Sequence, residues 1–422
     1  MSIAPPLFNQ ARAPNMAWAE RILPWLLPVL LLSSRTLADI GVVAVCLLFL
    51  YRAYHLRDWQ WAAQPWFKLA LLFAAYVLLI NAPLSVDPRS SLLYGLTFLR
   101  WPLFAAALAY WLLADHSRQA HFLRVLLAVC ALIVVDSAVQ YLLGHDVLGR
   151  PMFTENRLTG PYNSPIPGIT LLRVWFIAMF APLLLLPGMA ASRRQTWLLL
   201  MMATGMVFMF ITGERMAFML FLTGSLVTLF GLWLDNRAHS GGQTIRQTHL
   251  WLAAISILLL LGLIILLAPA TAERSVYSIF DKLGHFADSD YGKVFRAAIA
   301  AWQQAPLFGH GFHAYRQVCE QMGVLEALGI TCTHAHNLYL QLGAETGVTG
   351  VLLFVCMLLA IYWAALATPI RQQRWLIAAL ACAVLSVCYW PLIGGISLLN
   401  NWVAALAWLG VGWVLAMRDT RC

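Results

Sequence analysis

The fold is decided by two adjacent apolar runs, TWLLLMMATGMVFMFITGERMAFMLFLTGSLVTLFGLWL (residues 196–234), which are separated only by the short turn TGER (212–215). Each run has the length that an α-helix needs to cross a hydrocarbon core of about 30 Å. The stretch therefore predicts two membrane-spanning helices, at 196–212 and 216–234, joined at one face of the membrane.

Similar apolar runs recur along all 422 residues of the chain. The sequence is 61% hydrophobic and only 11% charged, whereas soluble domains have about 25% charged residues. It therefore predicts one all-α integral membrane domain over 1–422, with about twelve transmembrane helices. The predicted spans are 22–34, 37–51, 67–82, 92–113, 122–143, 167–190, 196–212, 216–234, 250–268, 347–366, 375–393 and 397–416.

The connecting segments alternate between two sides, and most of the basic residues fall on one of them. The positive-inside rule makes that side cytoplasmic, with both termini inside. We expect no nucleic-acid binding, because the basic residues lie in separate short stretches and not on one face. The basic residues of this side are Arg12, Arg21, Arg52, Arg57, Lys68, Arg118, Arg124, Arg193, Arg194, Arg237, Arg246, Arg371, Arg374, Arg418 and Arg421.

One long polar segment, 269–346, is predicted on the outer side, between the ninth and tenth spans. It is too short for an independent domain, so we expect short helices that lie on the membrane surface and cap a cavity among the spans. Within it, FRAAIAAWQQAPLFG (295–309) predicts an amphipathic helix with Phe295, Ile299 and Trp302 on one face, ended by Pro306 and Gly309. The segment also contains Cys319 and Cys332, whose pairing as a disulfide in an oxidising compartment stays open.

Three short patterns in this segment raise the question of a metal site: HGFH (310–313), HAH (334–336) and DSD (288–290). No cysteine pair or carboxylate lies at ligand spacing from the histidines, and an H-x-H pair on a helix points to different faces. A D-x-D pattern arises easily by chance in a polar loop, so an exposed turn is the favoured interpretation. We expect neither a metal ion nor a cofactor.

Two arginines are candidate functional residues because of their position. Arg215 lies in the turn 212–215, where the positive-inside tendency works against a basic residue, and an ionisable residue that faces a cavity at a membrane end is a functional candidate. The alternative is an interface arginine that reaches to lipid phosphate. Arg296 begins the predicted amphipathic helix, and a solvated or phosphate-anchoring surface arginine is its alternative.

Four motifs share the predicted outer side: FRAAIAAWQQAPLFGHGFHAY (295–315), HAHNLYLQLGAETGVTG (334–350), TGERMAF (212–218) and NRLTGPYNSP (156–165). Together they resemble the O-antigen ligase and polymerase superfamily of bacterial glycan transferases, and the first two carry most of the resemblance. His336-Asn337, nine residues and then Gly347 is similar to the histidine motif of the ligases. The motifs cover roughly 150–350, and the helices outside that range are similar in hydropathy only.

The resemblance implies metal-independent glycosyl transfer at the outer face of the bacterial inner membrane, from an undecaprenyl-diphosphate-linked O-antigen to a sugar hydroxyl of lipid A–core. His336 would orient or deprotonate the acceptor hydroxyl, since histidine is suited to act as a base near neutral pH. Arg215 and Arg296 would hold the donor diphosphate through planar, permanently charged guanidinium groups. Other implied substrate-binding residues are Asn337, for the imidazole or a sugar, and Arg157 and Asn163, for the donor groove.

Several alternatives remain open from the sequence. An O-antigen polymerase or a protein O-oligosaccharyltransferase would use the same lipid-linked donor, and a lipid or glycan transporter is the alternative of another class. A transporter is disfavoured because the polar cluster lies at one face and not at the bilayer midplane. A mechanism with two carboxylates is also disfavoured: Glu214 and Glu345 flank the proposed site, where they would tune it or lie at the surface.

Overall fold

The described part of the chain in the computed structural model is all-helical, apart from two isolated bridges between residues of one loop. The structure describes residues 16–154, 157–186, 188–238, 284–324, 328–391 and 400–419, with scattered residues between 255 and 277. The predicted span 250–268 therefore lies mostly outside the described residues. The all-helical class is confirmed.

The helices follow the predicted spans, with ends that shift by several residues. Two helices, which end at Tyr76 and Ala107, are extended by π-turns over Val77–Asn81 and Leu108–Leu112. A 3₁₀ turn precedes the helix that begins at Asp290. In chain order the helices are α1 Ala17–Ser33, α2 Arg35–Leu56, α3 Pro65–Tyr76, α4 Pro88–Phe98, α5 Arg100–Ala107, α6 His116–Leu143, α7 Pro167–Ala178, α8 Ala181–Leu184, α9 Ala191–Ile211, α10 Arg215–Ala238, α11 Pro269–Ala272, α12 Asp290–Gln304, α13 Tyr315–Gln321, α14 Leu338–Arg371, α15 Trp375–Tyr389 and α16 Asn401–Met417.

Seven helical stretches among the described residues are long and apolar enough to cross a membrane. Three more apolar stretches, which include α15 and α16, are shorter. The chain is thus a multi-pass membrane protein, whereas the expected twelve spans are not established by these residues. The predicted span 250–268 lies mostly outside the described residues, and the stretches Pro65–Asn81, Trp375–Tyr389 and Asn401–Met417 are shorter than the other seven.

Local signals in the sequence account for the helix ends. Asp87 caps α4 by accepting a hydrogen bond from Ser90 N at 3.0 Å, and Pro88 occupies the first helical position, where no N–H is needed. Asp115 caps α6 in the same way. Helix α6 ends at Gly144, whose φ of 81° is accessible to glycine at little cost.

Small residues allow the helices to pack closely. A Cβ atom on Gly224 would overlap the ring of Phe176, and one on Gly231 would overlap Ala379 of α15. In a lipid environment, helix association depends on such close van der Waals packing, because the lipid chains are as apolar as the side chains. These contacts fix α7, α10 and α15 to one another.

Helix α14 is broken at Gly347, whose φ of 65° and ψ of −175° are not helical. The break leaves backbone carbonyl groups of α14 without helical hydrogen-bond partners, and N–H groups of another segment bind them instead. His310 N donates to Ala344 O at 3.0 Å, and Gly311 N donates to Glu345 O at 2.8 Å. The segment between α12 and α13 thus replaces the interrupted turn of α14, and we refer to this arrangement as the break at Gly347.

Asn81, at the end of the π-turn that follows α3, provides further hydrogen bonds at the break at Gly347. Its Nδ2 donates to Phe308 O at 2.7 Å and to Glu345 O at 2.9 Å, and its Oδ1 accepts from Phe312 N at 2.8 Å. The side chain is buried, with 1% of its surface exposed. One amide side chain therefore joins three segments that are far apart in the sequence.

We predict that Asn81→Ala destabilises the protein by about 2–4 kcal/mol, because buried backbone groups lose their partners. The measurement is the thermal unfolding midpoint of the purified protein in detergent. Asn163→Ala, at an exposed position, is the matched control and should leave the midpoint unchanged. Equal midpoints for wild type and Asn81→Ala would contradict the structural role of this residue.

Candidate functional site

The turn 212–215 is docked against the loop that carries Arg157. Leu158 N donates to Thr212 O at 3.3 Å, so the NRLTGPYNSP loop lies on the turn between α9 and α10. Gly213 has a φ of 68°, which permits the sharp reversal. Two of the four motifs are therefore in contact.

Glu214 holds the start of α7 against the same turn. Its carboxylate accepts hydrogen bonds from Gly168 N at 2.6 Å and from Ile169 N at 3.2 Å. Desolvation by burial raises the pKa of Glu214 to about 7, while these two hydrogen bonds and the positive charges of Arg157 and Arg173 oppose that rise. Glu214 is thus a partly buried helix-capping group inside the cluster.

Arg157 and Arg215 are both part of this cluster, which we call the arginine turn. Arg157 lies close enough to Glu214 to interact electrostatically, and its guanidinium carbon is 5.7 Å from the ring centroid of Phe153. Arg215 is the first residue of α10 and is half-buried. The N-termini of α7 and α10 both point into this region, and helix N-termini favour negative charge.

Asn163 lies further along the same loop and is exposed. The neighbouring Tyr162 anchors the loop, because its hydroxyl donates to Leu32 O at 3.0 Å and its ring contacts Trp402 at 5.3 Å between centroids. The structure therefore brings Arg157 into the arginine turn and leaves Asn163 at the surface.

His336 lies in a second cluster, at the start of α14. Its φ is 50°, an uncommon conformation for a residue other than glycine. Its ring centroid is 4.1 Å from that of His334 and 5.2 Å from that of Tyr291. Its Nδ1 is buried and has no hydrogen-bond partner.

The environment of His336 changes its protonation. Desolvation by burial, with the nearby His334, lowers the pKa of His336 to about 4, although the carboxylate of Asp290 opposes this shift. The imidazole is therefore neutral at pH 7 and can accept a proton. It is a weaker base than the near-neutral one expected from the sequence.

Asn337 caps the helix that follows His336. Its Oδ1 accepts from Tyr339 N at 3.0 Å and from Leu340 N at 3.1 Å. Such caps typically contribute about 1 kcal/mol to helix stability. The side-chain oxygen is therefore already hydrogen-bonded. In the implied contact with a sugar or the imidazole, the amide NH₂ group would act as the donor.

Arg296 is exposed on α12, the amphipathic helix that leads to the second cluster. The helix runs over Asp290–Gln304, and therefore ends before Pro306. Its N-terminal residues Asp290 and Tyr291 are those that approach His336. The structure thus attaches the helix of Arg296 to the histidine cluster.

Only part of the predicted apolar face of α12 is packed against the protein: a Cβ atom on Gly343 of α14 would overlap the ring of Trp302. Ile299 is 41% exposed, and the buried residues of the helix are mostly small. Small residues allow close approach to α14, whereas Phe295 and Trp302 are partly buried. The buried residues are Gly292, Val294, Ala297, Ala298 and Ala301.

The acidic pattern 288–290 is a helix cap. Ser289 Oγ accepts from Gly292 N at 3.2 Å, and Asp290 is the first residue of α12. An aspartate in the first turn of a helix is stabilised by the helix dipole. Among the described residues, no group of three or more histidine, cysteine, aspartate or glutamate side chains could hold a metal ion.

The two cysteines of the segment 269–346 are paired. Cys319 and Cys332 form a disulfide, with their Cα atoms 5.6 Å apart. The bond joins α13 to the segment just before His334 and His336. It therefore restrains the segment that carries the histidine cluster.

Glu345 and Asn81 have structural roles in this region that were not predicted from the sequence. Glu345 is 1% exposed, and its Oε2 accepts from His313 N at 3.0 Å. The alternative that Glu345 lies at the surface is wrong. A polar residue at each of these positions, inside or at the end of an apolar run, is the signal that could have identified them.

The fold and these clusters define the class: a multi-pass helical membrane protein whose candidate residues gather at helix ends. The family model described as O-antigen ligase matches residues 197–355. This match confirms the resemblance to the O-antigen ligase and polymerase superfamily over these residues. Arg215, Arg296, His336 and Asn337 lie within the match, and Arg157 and Asn163 lie outside it. No curated protein matches the chain.

We predict that His336 stays neutral from pH 7 down to pH 5, because its pKa is lowered to about 4. The ring carbon shifts of ¹³C-labelled histidine would report this, with the His336 signal assigned from its loss in His336→Gln. The unfolded chain takes up this proton near pH 6.5 and the folded chain near pH 4, so wild type should lose stability relative to His336→Gln as the pH falls through that window. A His336 midpoint near 6.5 would contradict the burial argument.

Proposed function

We propose that this protein is an O-antigen ligase: a glycosyltransferase that moves O-antigen polysaccharide from undecaprenyl diphosphate to a sugar hydroxyl of lipid A–core and so completes lipopolysaccharide. The observation that carries the proposal is the neutral imidazole of His336, whose buried Nδ1 has no hydrogen-bond partner, inside the matched family segment. Such a nitrogen can accept the proton of an alcohol.

In the proposed reaction, the acceptor oxygen attacks the anomeric carbon of the donor. The bond between that carbon and the diphosphate oxygen breaks, and the lipid diphosphate leaves with the electron pair. The hydroxyl proton passes to His336. Because a diphosphate is a good leaving group, this scheme needs no strong general acid, no pair of catalytic carboxylates and no metal ion.

The arginine turn is the proposed site for the donor diphosphate. Arg157, Arg215 and two helix N-termini provide positive potential there, and only Glu214 offsets it among the residues described for this cluster. Guanidinium groups bind phosphate oxygens through paired hydrogen bonds. Arg296 would add a third guanidinium group from α12, whose N-terminal end contacts His336.

We further propose that the site faces the periplasm from the bacterial inner membrane, surrounded by membrane lipid. The basic residues of the connecting segments support this orientation, because they concentrate on the opposite side. The disulfide between Cys319 and Cys332 is also consistent with an oxidising compartment.

The test mixes purified protein and labelled lipid-linked donor with one of three acceptors: lipid A–core, a second lipid-linked glycan or an acceptor protein. We predict transfer to lipid A–core alone, lowered at least about a hundredfold by His336→Ala, which removes the general base. Transfer to the lipid-linked glycan or to protein would favour a polymerase or an O-oligosaccharyltransferase. Substrate flux without transfer, unchanged in His336→Ala, would favour a transporter.

We predict that Arg215→Lys lowers transfer by about 10- to 100-fold, because lysine keeps the charge and loses the paired hydrogen bonds to phosphate. Initial rates at saturating acceptor provide the measurement. Arg193→Lys, at an exposed position of α9, is the matched control. If Arg215→Lys transfers at the wild-type rate, Arg215 anchors the protein at the membrane interface and does not bind the donor diphosphate.

A further inference from the structure

A groove with a volume of about 750 Å³ lies beside α2, where α4 and the start of α16 approach it. It is separate from the arginine turn, and none of the residues assigned above to donor binding lines it. Its wall changes character along α2: Arg35 and Thr36 are at one end, and Ile40, Val43 and Leu47 follow at helical spacing. With a rise of 1.5 Å per residue, the strip extends for about 18 Å.

This gradient matches an amphiphile, with a charged group at the start of α2 and an apolar chain along the strip. The exposed side chains of Ile40, Val43 and Leu47 form the apolar part. A bilayer places charged groups at its interface and apolar groups in its hydrocarbon core. The groove is therefore shaped for a lipid and not for a water-soluble ligand.

The polar end of the groove carries net positive charge. Asp39 pairs with Arg100, whose Nη1 lies 3.1 Å from Asp39 Oδ1, and it also accepts from Asn401 Nδ2 at 3.4 Å. Arg35 forms no ion pair with any carboxylate in the described part of the chain. Its charge is thus available to an anionic headgroup such as a phosphate.

Beside Arg35, the groove offers groups that suit a sugar. The His313 and Tyr94 rings stack with a centroid distance of 3.6 Å, and both line the groove together with Asn400 and Asn401. The position of His313 is fixed, because its backbone N–H donates to Glu345 in the break at Gly347. A flat ring pair beside amide groups can contact both the apolar face and the hydroxyl groups of a sugar.

A smaller cavity next to the groove reaches the start of α14. Tyr94, His313 and Asn401 line both spaces, and the smaller cavity also contacts Leu338. Leu338 is the first residue of α14, two positions after His336. A lipid in the groove would therefore present its headgroup on the side of the molecule where the proposed base lies.

We propose that this groove binds the acceptor of the transfer reaction as a phosphorylated, acylated glycolipid: its phosphate at Arg35, a sugar against the His313–Tyr94 pair, and an acyl chain along α2. This inference rests on the proposed function, since it assigns a place to the lipid-bound acceptor. It separates the two lipids of the reaction, with the donor at the arginine turn and the acceptor beside α2.

The test measures lipid binding to the purified protein by native mass spectrometry, without donor and without turnover. The probes are bisphosphorylated lipid A, undecaprenyl phosphate and phosphatidylglycerol. We predict that Arg35→Glu weakens lipid A binding at least about fivefold, because it removes one cationic contact and adds repulsion. Ala44→Trp, which fills the groove without changing its charge, should weaken it similarly, and neither change should affect undecaprenyl phosphate.

The matched control is Arg89→Glu, an exposed arginine at the start of α4 that does not line the groove. Unchanged lipid A binding in both groove variants would overturn the proposal. Equal weakening of undecaprenyl phosphate or of phosphatidylglycerol would also overturn it, and would assign the groove to the donor or to bulk lipid. If lipid A binding depends on Arg35 but no transfer to lipid A–core occurs, the groove assignment stands and the proposed function fails.

Discussion

The break at Gly347 is the constraint on which the arrangement of the candidate site depends. An interrupted helix in a membrane protein leaves carbonyl groups that must find partners within the protein. Here the backbone of the segment after α12 supplies some, and the side chains of Asn81 and Tyr76 supply others; the Tyr76 hydroxyl donates to Thr346 O at 2.7 Å. Because the partner segment joins α12 to α13, the same hydrogen bonds hold α12, and with it Arg296, beside the helix that begins after His336.

The two glutamates near the site accept hydrogen bonds from backbone N–H groups. Glu214 accepts from the first N–H groups of α7, and Glu345 accepts from His313 N and from Gln341 Nε2. A carboxylate engaged by backbone donors keeps its position, because moving it would leave buried N–H groups unsatisfied. Glu214 therefore holds the arginine turn in place, and Glu345 holds the His313–Tyr94 pair in place. Neither is arranged as half of a catalytic carboxylate pair.

The sequence could predict the helices and the candidate residues but only part of their surroundings. Apolar run length and the motif around His336 are local signals, so they are visible without the fold. The role of Asn81 is not, because its hydrogen-bond partners lie more than 200 residues away along the chain. The part that small residues play in α12 was also missed, since periodicity emphasises large residues such as Ile299, while the buried residues of the helix are glycine, valine and alanine. Gly309 was predicted only to end the helix and Gly311 was given no role, although a side chain at these positions would overlap Glu345 or Ser85.

The low pKa of His336 constrains the order of events in the proposed reaction. An imidazole with a pKa of about 4 is too weak to remove a proton from a sugar hydroxyl before the bond to the diphosphate has begun to break. Proton transfer would therefore come late, when the attacking oxygen has become acidic, and the main work would fall to the cations that stabilise the departing diphosphate. A bound diphosphate is itself anionic, and a nearby negative charge raises the pKa of an imidazole. The donor would thus strengthen the base that its own departure requires, and without a donor His336 would remain neutral and weakly basic.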